Sequence, residues 1–340
     1  MKTTRFITQL FSVLSLLTIF SLNSFAGGAP TNVGVSDQKA GSVLVFPYYN
    51  TVGTSDARIT ISNSGAKTRV HLLFVDKSCN QSDIPVCLTA NASTSFLMSE
   101  MDPENTGYVI AIAEDESGCP IPQNGLIGNA FVDDGNYVGN YGAEAFWAYG
   151  SSAQMATCDM TNMVATLNFN VLGCVGTGLD ALPSQFVAEI QSPNDSVGQK
   201  IVTVGLTGDL TTGVASTGAT MVNVGIACND AEKPGSFPNP FSGTCQQSFT
   251  INTRTPRVPG GLGTLTPAPL VDRSLIPSGR TGTLKWSVTG AVGLILTPTQ
   301  GLLGNKWSGI RTLHKTNVAA NTLTIPVYAP TCDAGFLAAP

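Results

Sequence analysis

Charged residues are scarce in this sequence of 340 residues, of which aspartate, glutamate, lysine and arginine make up 11%. Lysine and arginine are absent altogether between Lys77 and Lys200, although this stretch contains 14 acidic residues. A nucleic-acid-binding surface requires a basic patch, often with aromatic residues among the basic ones, and the sequence has none. Nucleic acid is therefore not expected as a partner.

Catalytic signatures are also scarce. The sequence has two histidines, His71 and His314, and contains neither G-x-S-x-G nor H-E-x-x-H. Residues 36–39 match S-x-x-K, but no S-D-N or K-T-G follows, and residues 176–178 lack the βαβ context of a dinucleotide-binding loop. By its pattern His71 lies mid-strand, where a packed or surface histidine is expected rather than a catalytic base. We expect no organic cofactor.

Only the N-terminus carries a long apolar run. Residues 11–22 are apolar, two basic residues precede them, and Ser24 and Ala26 offer the small side chains that a signal peptidase recognises. The run is shorter than a membrane span, so we expect a signal peptide over residues 1–26 rather than an anchor. The mature protein should lie in the periplasm, at the cell surface or outside the cell, with no membrane span.

Glycine and proline are abundant, at 36 and 20 residues, and no stretch has the Ala, Leu, Glu and Lys content of long helices. Short apolar runs bounded by Gly, Pro and Asn are typical of strands. The mature chain is longer than one core usually supports. We predict an all-β protein with two packed immunoglobulin-like antiparallel β-sandwich domains, an acidic one at 27–150 and a second at 184–340, joined by a crossover at 151–183.

The clearest strand pattern runs from Ala57 to Asp76. Apolar and polar residues alternate over 57–62, residues 63–65 have the composition of a turn, and the alternation resumes at Val70. We interpret this stretch as a hairpin whose second strand is apolar on both faces and covered on both sides. Residues 107–113 form a continuous apolar run, which predicts a strand at the centre of a sheet.

Eight cysteines in an exported chain are expected to form disulfides before metal sites, and no C-x-x-C motif indicates zinc. Cysteine spacing alone does not determine the pairing. Three pairs of cysteines bracket a short segment, and we predict a local disulfide in each: Cys79–Cys87, Cys158–Cys174 and Cys228–Cys245. Cys119 and Cys332 are left to pair with each other or to stay free.

Acidic residues of the first predicted domain are candidates for a calcium site, since Ca²⁺ prefers carboxylate and carbonyl oxygens. The candidates come from one segment and one loop that could approach it: Glu100, Asp102, Glu104, Asp133 and Asp134. They match neither the EF-hand loop nor a Gly-Asp-rich repeat, so acids that cap turns are the alternative. No cofactor other than this calcium is expected.

Aromatic residues crowd into residues 137–149 beside polar neighbours. Exposed aromatic side chains can stack on sugars or contact a protein partner, whereas buried ones fill the core. We assign Phe146 and Trp147 to the core and keep Tyr137 and Tyr141 as candidate ligand contacts.

Charge is distributed unevenly along the chain. Residues 27–77 hold five basic and three acidic residues, and residues 200–340 hold ten basic and five acidic ones, on either side of the acidic stretch 78–199. A solubility surface explains the acidic stretch most simply. The same distribution would permit head-to-tail self-association, with an acidic surface of one molecule against a basic surface of the next.

Several segments are distinctive beyond their strand patterns. They are GSVLVFP, ARITISN, VHLLFVD with the cysteines and CLTAN that follow, the run from Asp102 to Glu144, and the C-terminal series IPSGRTGTLKW, VGLIL, GIRTLHK and LTIPVYAPTC. In these segments the chain resembles a family of exported bacterial proteins of unknown function. The resemblance covers most of residues 27–340 and implies export, but it implies no activity and supplies no catalytic residues.

The leading hypothesis from the sequence is an exported, non-enzymatic β-sandwich protein with a binding or cell-surface structural role, whose partner is a surface protein or a glycan. The alternative is a secreted, glycosidase-like hydrolase, because such an enzyme needs only two carboxylates in a cleft and the acidic stretch has many. A deep cleft with two facing carboxylates would favour the enzyme, and flat surfaces would favour the binding protein.

The signal-peptide hypothesis predicts one defined cleavage. When the full chain is expressed in a secreting bacterium, the exported protein should begin at Gly27, because Ser24 and Ala26 occupy the positions that the peptidase reads. Intact-mass measurement of the exported protein checks this. A product that keeps residues 1–26 would show an uncleaved anchor instead.

Overall fold

A computed structural model describes residues 34–173, 175–193, 195, 198–212, 214–216, 224–238, 245–251, 254–255, 268–269, 274–288, 290–298, 308–328 and 332. The predicted signal peptide, Cys174 and most of the Pro-rich stretch 256–273 lie outside these residues. The described residues all belong to one compact unit.

Strands dominate the described residues, and helices are confined to single short turns. The strands are β1 (Val43–Asn50), β2 (Asp56–Asn63), β3 (Thr68–Asp76), β4 (Gln81–Leu88), β5 (Ser93–Leu97), β6 (Thr106–Glu114), β7 (Leu126–Asp133), β8 (Val138–Gly142), β9 (Glu144–Phe146), β10 (Ala148–Tyr149), β11 (Ala156–Asp159), β12 (Val164–Val171), β13 (Gly178–Asp180), β14 (Leu182–Gln191), β15 (Lys200–Gly205), β16 (Thr207–Asp209), β17 (Val214–Ser216), β18 (Val224–Asn229), β19 (Pro234–Pro238), β20 (Gln246–Thr250), β21 (Arg254–Thr255), β22 (Ala268–Pro269), β23 (Thr281–Ser287), β24 (Ala291–Thr297), β25 (Gly309–Thr312), β26 (His314–Ala319) and β27 (Asn321–Pro326). The helical turns are α1 (Met98–Met101), α2 (Ser152–Met155) and a 3-10 turn at Leu210–Thr212. The predicted all-β class is confirmed.

Sheet A contains five strands in the order β4–β3–β6–β1–β9, and neighbouring strands are antiparallel. Its inner strands β1, β3 and β6 are almost wholly buried. On β1, Leu44 and Phe46 point into one hydrophobic core, while Val43 and Val45 point into another. Sheet A is therefore covered on both faces, as its continuous apolar runs require. The prediction of a central strand over residues 107–113 is confirmed by the place of β6.

Sheet B covers one face of sheet A and has the antiparallel order β5–β2–β7–β8. Its strand β2 alternates between buried residues, such as Ile59 and Ile61, and residues that contact solvent, such as Arg58. The buried residues share a core with Leu72 and Phe74 of β3. Sheet B is thus half-buried, with one face on the core and the other in solvent.

β2 and β3 follow each other in the chain but do not form the predicted hairpin. β2 pairs with β5 and β7 in sheet B, whereas β3 pairs with β4 and β6 in sheet A. Residues 63–65 carry the chain between the facing sheets, and Asn63 fixes this crossing because its amide donates to the carbonyls of Ala66 and Thr89. The hairpin prediction is wrong because strands that face each other across a core alternate in the same way as strands that pair.

Sheet C covers the opposite face of sheet A. Its order is β10–β13–β12–β27–β16–β17 with β11 beside β12; the pairs β12–β13 and β16–β27 are parallel and the others antiparallel. Leu167 and Phe169 of β12 share a core with Val43 and Ile110 of sheet A. Strands β11 to β13 lie inside the predicted crossover 151–183, so this segment is part of a sheet. The predicted domain boundaries themselves are not tested by these pairings.

Sheets D and E form a second antiparallel sandwich. Sheet D has the order β19–β18–β23–β14–β26, and sheet E has the order β20–β15–β24–β25. Trp286 of sheet D shares a core with Ile201 and Ile295 of sheet E. The neighbouring residues Val202 and Leu294 point the other way, into the core between sheets A and B. Sheet E therefore connects the two sandwiches. Strands β21 and β22 pair only with each other among the described residues.

The described cysteines form three disulfides, and each differs from prediction: Cys79–Cys245, Cys87–Cys332 and Cys119–Cys158. The local bonds Cys79–Cys87, Cys158–Cys174 and Cys228–Cys245 are therefore wrong, and so is a Cys119–Cys332 bond. Cys228 has no disulfide partner among the described residues.

Strand geometry explains why one local bond fails. Cys79 lies in the turn between β3 and β4, whereas Cys87 pairs with Arg69 near the far end of the same hairpin. A strand rises about 3.3 Å per residue, so the two sulfurs are far apart although they are close in sequence. All three observed bonds join distant segments, by sequence separations of 166, 245 and 39 residues.

The disulfides indicate an oxidising environment, which agrees with the expected export. Within the described ranges, no helix is long and apolar enough to cross a membrane.

The Cys119–Cys158 bond offers a direct test of this pairing. Replacing both residues by serine opens a cross-link of 39 residues, which the chain-entropy account values at about 4 kcal/mol of unfolding free energy. Denaturant unfolding of the mature protein measures the loss, and non-reducing peptide mapping identifies the pair.

Cys228→Ser is the matched control and should leave the unfolding free energy almost unchanged, because Cys228 has no disulfide among the described residues. Peptide mapping that recovers Cys158 linked to Cys174 would contradict the structure.

Candidate ligand-binding site

A pocket of about 330 Å³ opens at one end of the D–E sandwich. Sheet D contributes the end of β14 and the start of β23, where Gln191 pairs with Thr281. Sheet E contributes the end of β24 and the start of β25, where Thr297 pairs with Gly309. Both strand pairs therefore end at the level of the pocket.

Two buried glutamines form the polar interior of this pocket. The amide of Gln199 is fixed on both sides: its Oε1 accepts a hydrogen bond from the backbone N–H of Gln191 at 2.7 Å, and its Nε2 donates to Thr297 Oγ1 at 3.2 Å. Gln191 is only 6% exposed, and its Oε1 has no hydrogen-bond partner within the described part of the chain. Sequence reasoning missed both residues, because an uncharged amide at a strand end has no distinctive pattern.

The rim of the pocket carries an ion pair. Arg311 Nη2 lies 3.2 Å from Glu189 Oε2, and the two side chains are 48% and 67% exposed. A pair this exposed adds little stability. Thr281 and Ser308 add exposed hydroxyl groups to the lining. The described lining residues therefore offer hydrogen-bond donors and acceptors but no net charge.

The described lining residues can form hydrogen bonds to a ligand but do not match the residue set of a glycoside hydrolase. Glu189 is the one carboxylate among the described lining residues, whereas that reaction needs two carboxyl groups on either side of the scissile bond. The same lining residues include no histidine or cysteine. A concave site with a few convergent polar groups is the usual form of a small-molecule binding site.

A second pocket of about 400 Å³ lies where β3 of sheet A begins and β6 ends. Its lining includes the buried residues Arg69 and Glu114 and the exposed acids Asp115 and Glu116. The carboxylate of Asp115 accepts hydrogen bonds from the backbone N–H groups of residues 117 and 119, so it caps a turn. Three of its described lining residues are acids, and the partners of these acids decide whether the pocket could act as a catalytic cleft.

A buried charge cluster holds the deepest acid of this second pocket. His71 Nδ1 lies 2.9 Å from Glu114 Oε1, and His71 Nε2 lies 2.9 Å from Asp83 Oδ2. Arg69 Nη2 donates to the other oxygen of Glu114 at 3.2 Å. His71 is packed, as expected from its position mid-strand. Both oxygens of Glu114 are therefore engaged by cationic side chains.

The geometry of the cluster favours a protonated His71. Both ring nitrogens face a carboxylate, and only the imidazolium form can donate from both. Burial of the ring lowers its pKa, but hydrogen bonds to Asp83 and Glu114 outweigh burial and raise it to about 9. Burial raises the pKa of Glu114, while His71 and Arg69 act against that shift. With His71 charged, the two cations and two anions of the cluster balance.

Two of the predicted calcium ligands are partners of buried tyrosines. Asp102 accepts a hydrogen bond from the hydroxyl of Tyr49, and Asp134 accepts one from the hydroxyl of Tyr48. Burial, followed by the bond to Asp134, raises the pKa of Tyr48, so its hydroxyl stays protonated and donates. These carboxylates therefore satisfy core hydroxyl groups.

The other three predicted calcium ligands lie at the surface. Glu100 and Glu104 are exposed, and Asp133 is exposed and accepts a hydrogen bond from the backbone N–H of Gly135 at 3.1 Å. No group of three or more His, Cys, Asp or Glu side chains in the described ranges is arranged to hold a metal ion. Calcium binding at these acids stays a prediction.

The four aromatic residues singled out from residues 137–149 have different environments in the structure. Phe146 is fully buried, as predicted, but Trp147 is 38% exposed, so its assignment to the core is wrong. Trp147 lies between the end of β9 and the start of β10. Tyr141 is buried and its hydroxyl donates to the carbonyl of Tyr48, whereas Tyr137 is half-buried and donates to the carbonyl of Gly198 at 2.6 Å. Ligand contact by Tyr137 and Tyr141 stays a prediction.

Ion pairs join the acidic stretch 78–199 to basic residues outside it. Five such pairs within the described residues involve lysine or arginine, and His71 adds its contacts with Asp83 and Glu114. The five are Lys39–Asp180, Arg69–Glu114, Lys200–Asp134, Arg311–Glu189 and Lys315–Glu144. Acidic and basic residues that are separated along the sequence thus pair with each other within one folded molecule.

Comparison with known proteins gives no named relative. No protein family and no curated protein matches the chain. A crystal structure of Thermotoga maritima 1070 is 13% identical over 32% of this chain and 95% of that one, with a TM-score of 0.25. A β-porphyranase of glycoside hydrolase family 86 from Bacteroides plebeius is 9% identical over 89% and 38%, with a TM-score of 0.14. Red sea bream transglutaminase is 11% identical over 89% and 32%, also at 0.14. Likenesses this weak support no functional conclusion.

His71 makes the stability of the protein depend on pH. Its pKa is about 9 in the folded protein against an ordinary value of 6.5, so its stabilisation is fully present below pH 6.5 and is lost as the pH rises to 9. A shift of this size corresponds to roughly 3 kcal/mol. Denaturant unfolding at several pH values should show unfolding free energy falling over this range.

The two histidines provide a matched pair for NMR. The ring signals of His71 should titrate near pH 9, whereas exposed His314 is the control, and its replacement by Gln should leave the stability profile unchanged. The His71→Gln variant should be less stable at neutral pH, because it removes the cation between Asp83 and Glu114. A His71 ring that titrates near pH 6.5 would contradict the bridging imidazolium.

Proposed function

We propose that this chain is an exported, non-enzymatic β-sandwich protein that binds a ligand or partner outside the cytoplasm, either a glycan or a cell-surface protein. The observation that carries the proposal is the pocket between sheets D and E. Its described lining combines buried amides and exposed hydroxyls with a single carboxylate, Glu189. Such a pocket supports binding without hydrolysis.

Three finer features complete the proposal. Residues 1–26 direct export, which the disulfides support because they require an oxidising compartment. The two sandwiches belong to immunoglobulin-like domains, an assignment on which the binding function does not depend. A structural role at the cell surface is compatible with the same exported protein. In that role, copies of the protein would associate with one another as well as bind a ligand or partner.

A secreted hydrolase is the alternative function, and the second pocket is its best location. Glu114 is buried there and its pKa is raised by burial, which is how enzymes prepare a carboxyl group as a general acid. Against this, Glu114 accepts from Arg69 and lies in hydrogen-bond distance of His71, so its proton and lone pairs are not available to a substrate. We therefore favour the binding protein.

The mature protein should bind glycans or envelope proteins and should hydrolyse nothing. Residues 27–340, with disulfides intact, are applied to a glycan array and used in pull-downs from envelope extracts, and the same preparation is incubated with a panel of chromogenic glycosides. Binding without turnover is the expected result, because Glu189 is the single carboxylate in the described lining of the D–E pocket.

The reduced and unfolded chain is the matched control for binding, since adhesion that survives unfolding does not require the pocket. Glu114→Gln is the control for hydrolysis. Turnover by the native protein that this variant abolishes would establish the hydrolase, and an absence of both binding and turnover would refute the proposal.

A further inference from the structure

We propose that the pocket between sheets D and E binds a neutral, hydroxyl-rich ligand, a saccharide unit of a glycan, through a hydrogen bond to the side-chain amide of Gln191. This inference rests on the proposed binding function and assigns to it a site, a ligand class and a contacting residue. Four features of the pocket carry it, beginning with the amide itself.

Gln191 presents an unsatisfied polar group to the pocket. It lies at the last position of β14 and is 6% exposed, and its Oε1 has no hydrogen-bond partner among the described residues. Burial of an amide without a partner destabilises the folded protein, so such groups are rare unless something else satisfies them. A ligand in the pocket would supply the missing bond.

The neighbouring glutamine cannot supply that bond. Gln199 uses its oxygen for the backbone N–H of Gln191 and its amide nitrogen for Thr297 Oγ1. Gln199 is therefore a fixed support that positions β14 against β24, while Gln191, which also lines the pocket, keeps an oxygen without a partner among the described residues. The hydroxyl of Thr297 accepts a hydrogen bond from Gln199. Its own proton points in another direction, so it can be donated to a ligand.

The chemistry of an amide favours a hydroxyl group as its partner. An amide offers an acceptor oxygen and a donor NH₂ side by side, and a hydroxyl group can donate to the first and accept from the second. Thr281 and Ser308 add two exposed hydroxyls to the lining. A ligand with several hydroxyl groups can satisfy all of these sites together.

Charge balance favours a neutral ligand. Glu189 and Arg311 are the charged members of the described lining, and they pair with each other at 3.2 Å. A charged ligand would find no uncompensated countercharge and would have to break this pair. A neutral ligand can bond to the remaining N–H groups of Arg311 while the pair stays intact.

The size and walls of the pocket agree with a saccharide unit. About 330 Å³ lies at the lower end of the range for small-molecule sites. Ile190 and Ile310 contribute to the lining beside the polar groups. A saccharide has apolar C–H faces as well as hydroxyl groups, so both parts of the lining would find a counterpart.

Saturation-transfer NMR on the mature protein tests this inference with defined probes. Glucose, galactose, N-acetylglucosamine and maltose are the neutral probes, and glucuronate, glutamate and lysine are the charged ones. At least one neutral saccharide should bind, the charged probes should not bind better, and Gln191→Met should weaken saccharide binding at least tenfold. Gln81→Met, at an exposed position on β4, is the matched control and should bind like the natural chain.

Thermal unfolding separates a ligand contact from a structural role. Methionine fills a similar volume without a polar group, so Gln191→Met should melt at the same temperature as the natural chain or higher. A lower melting temperature would mean that the amide has a partner within the protein, which overturns its assignment as a ligand contact. Titration of the isotope-labelled natural chain needs no variant: the bound saccharide should shift the amide resonances of Gln191, Thr297 and Arg311 first.

The outcomes distinguish this inference from the broader proposal. Saccharide binding that Gln191→Met leaves intact, binding that favours a charged probe, or no binding of any neutral saccharide would overturn the assignment of the pocket. If the protein nevertheless binds on the glycan array or in pull-downs, the proposed function stands and its site lies elsewhere. If every one of these measurements is negative, both fall together.

Discussion

Sheet A is buried on both faces, and this constraint decides where the polar groups of its strands can go. A polar or charged side chain on a doubly covered sheet has no access to water, so it must find a partner inside the protein. The partners come from other elements. The hydroxyls of Tyr48 and Tyr49 on β1 donate to Asp134, which follows β7, and to Asp102, which follows α1. Glu144 of β9 lies 2.6 Å from the Lys315 ammonium group of sheet D. Segments that pack around sheet A are thereby positioned by specific polar contacts as well as by apolar packing.

The same constraint explains the distribution of charge. The acidic stretch 78–199 has no cation of its own, and its buried acids pair with lysines and arginines that precede or follow it, over sequence separations from 45 to 171 residues. Removing a charge from water costs several kcal/mol, so the buried pairs contribute specificity of packing more than net stability. The acids that stay at the surface, such as Glu100 and Glu104, are those for which solubility is a sufficient role. Acids that are paired inside the molecule are not available for contacts between copies. Fewer acids are therefore left for the head-to-tail self-association that the charge distribution would permit.

A feature can be predicted from the sequence when the residues that determine it lie close together in the chain, and it is missed when they lie far apart. The period of apolar residues is local, so the strand over residues 107–113, the all-β class and the doubly buried strand β3 are predicted correctly. Partner choice is not local. β2 and β3 have the pattern of a hairpin, yet each pairs within its own sheet. Two strands that face each other across a core show the same alternation of apolar and polar residues as two strands that pair. The predicted Cys79–Cys87 bond is wrong for a related reason: closing a short loop costs little entropy, but rigid strands place these two cysteines at opposite ends of the β3–β4 hairpin. The sequence did not indicate the candidate site because its polar interior consists of uncharged amides and its residues come from several strands, none of which carries a signature.

The use of charge also bears on what kind of site the protein can have. A catalytic carboxyl group must exchange a proton with its substrate, so it needs an accessible oxygen and a freedom to change charge. Glu114 and Glu144 are buried and held by cations, and changing the charge of either would leave a cation buried without its partner. Their environment therefore opposes turnover. Amides and hydroxyls have no such conflict, since they bind and release a ligand without any change of charge. In this fold the buried charges are used for pairing inside the molecule, so neutral groups are the ones left to contact a ligand. The proposed site at the end of the D–E sandwich offers such groups in its two glutamines and the flanking hydroxyls.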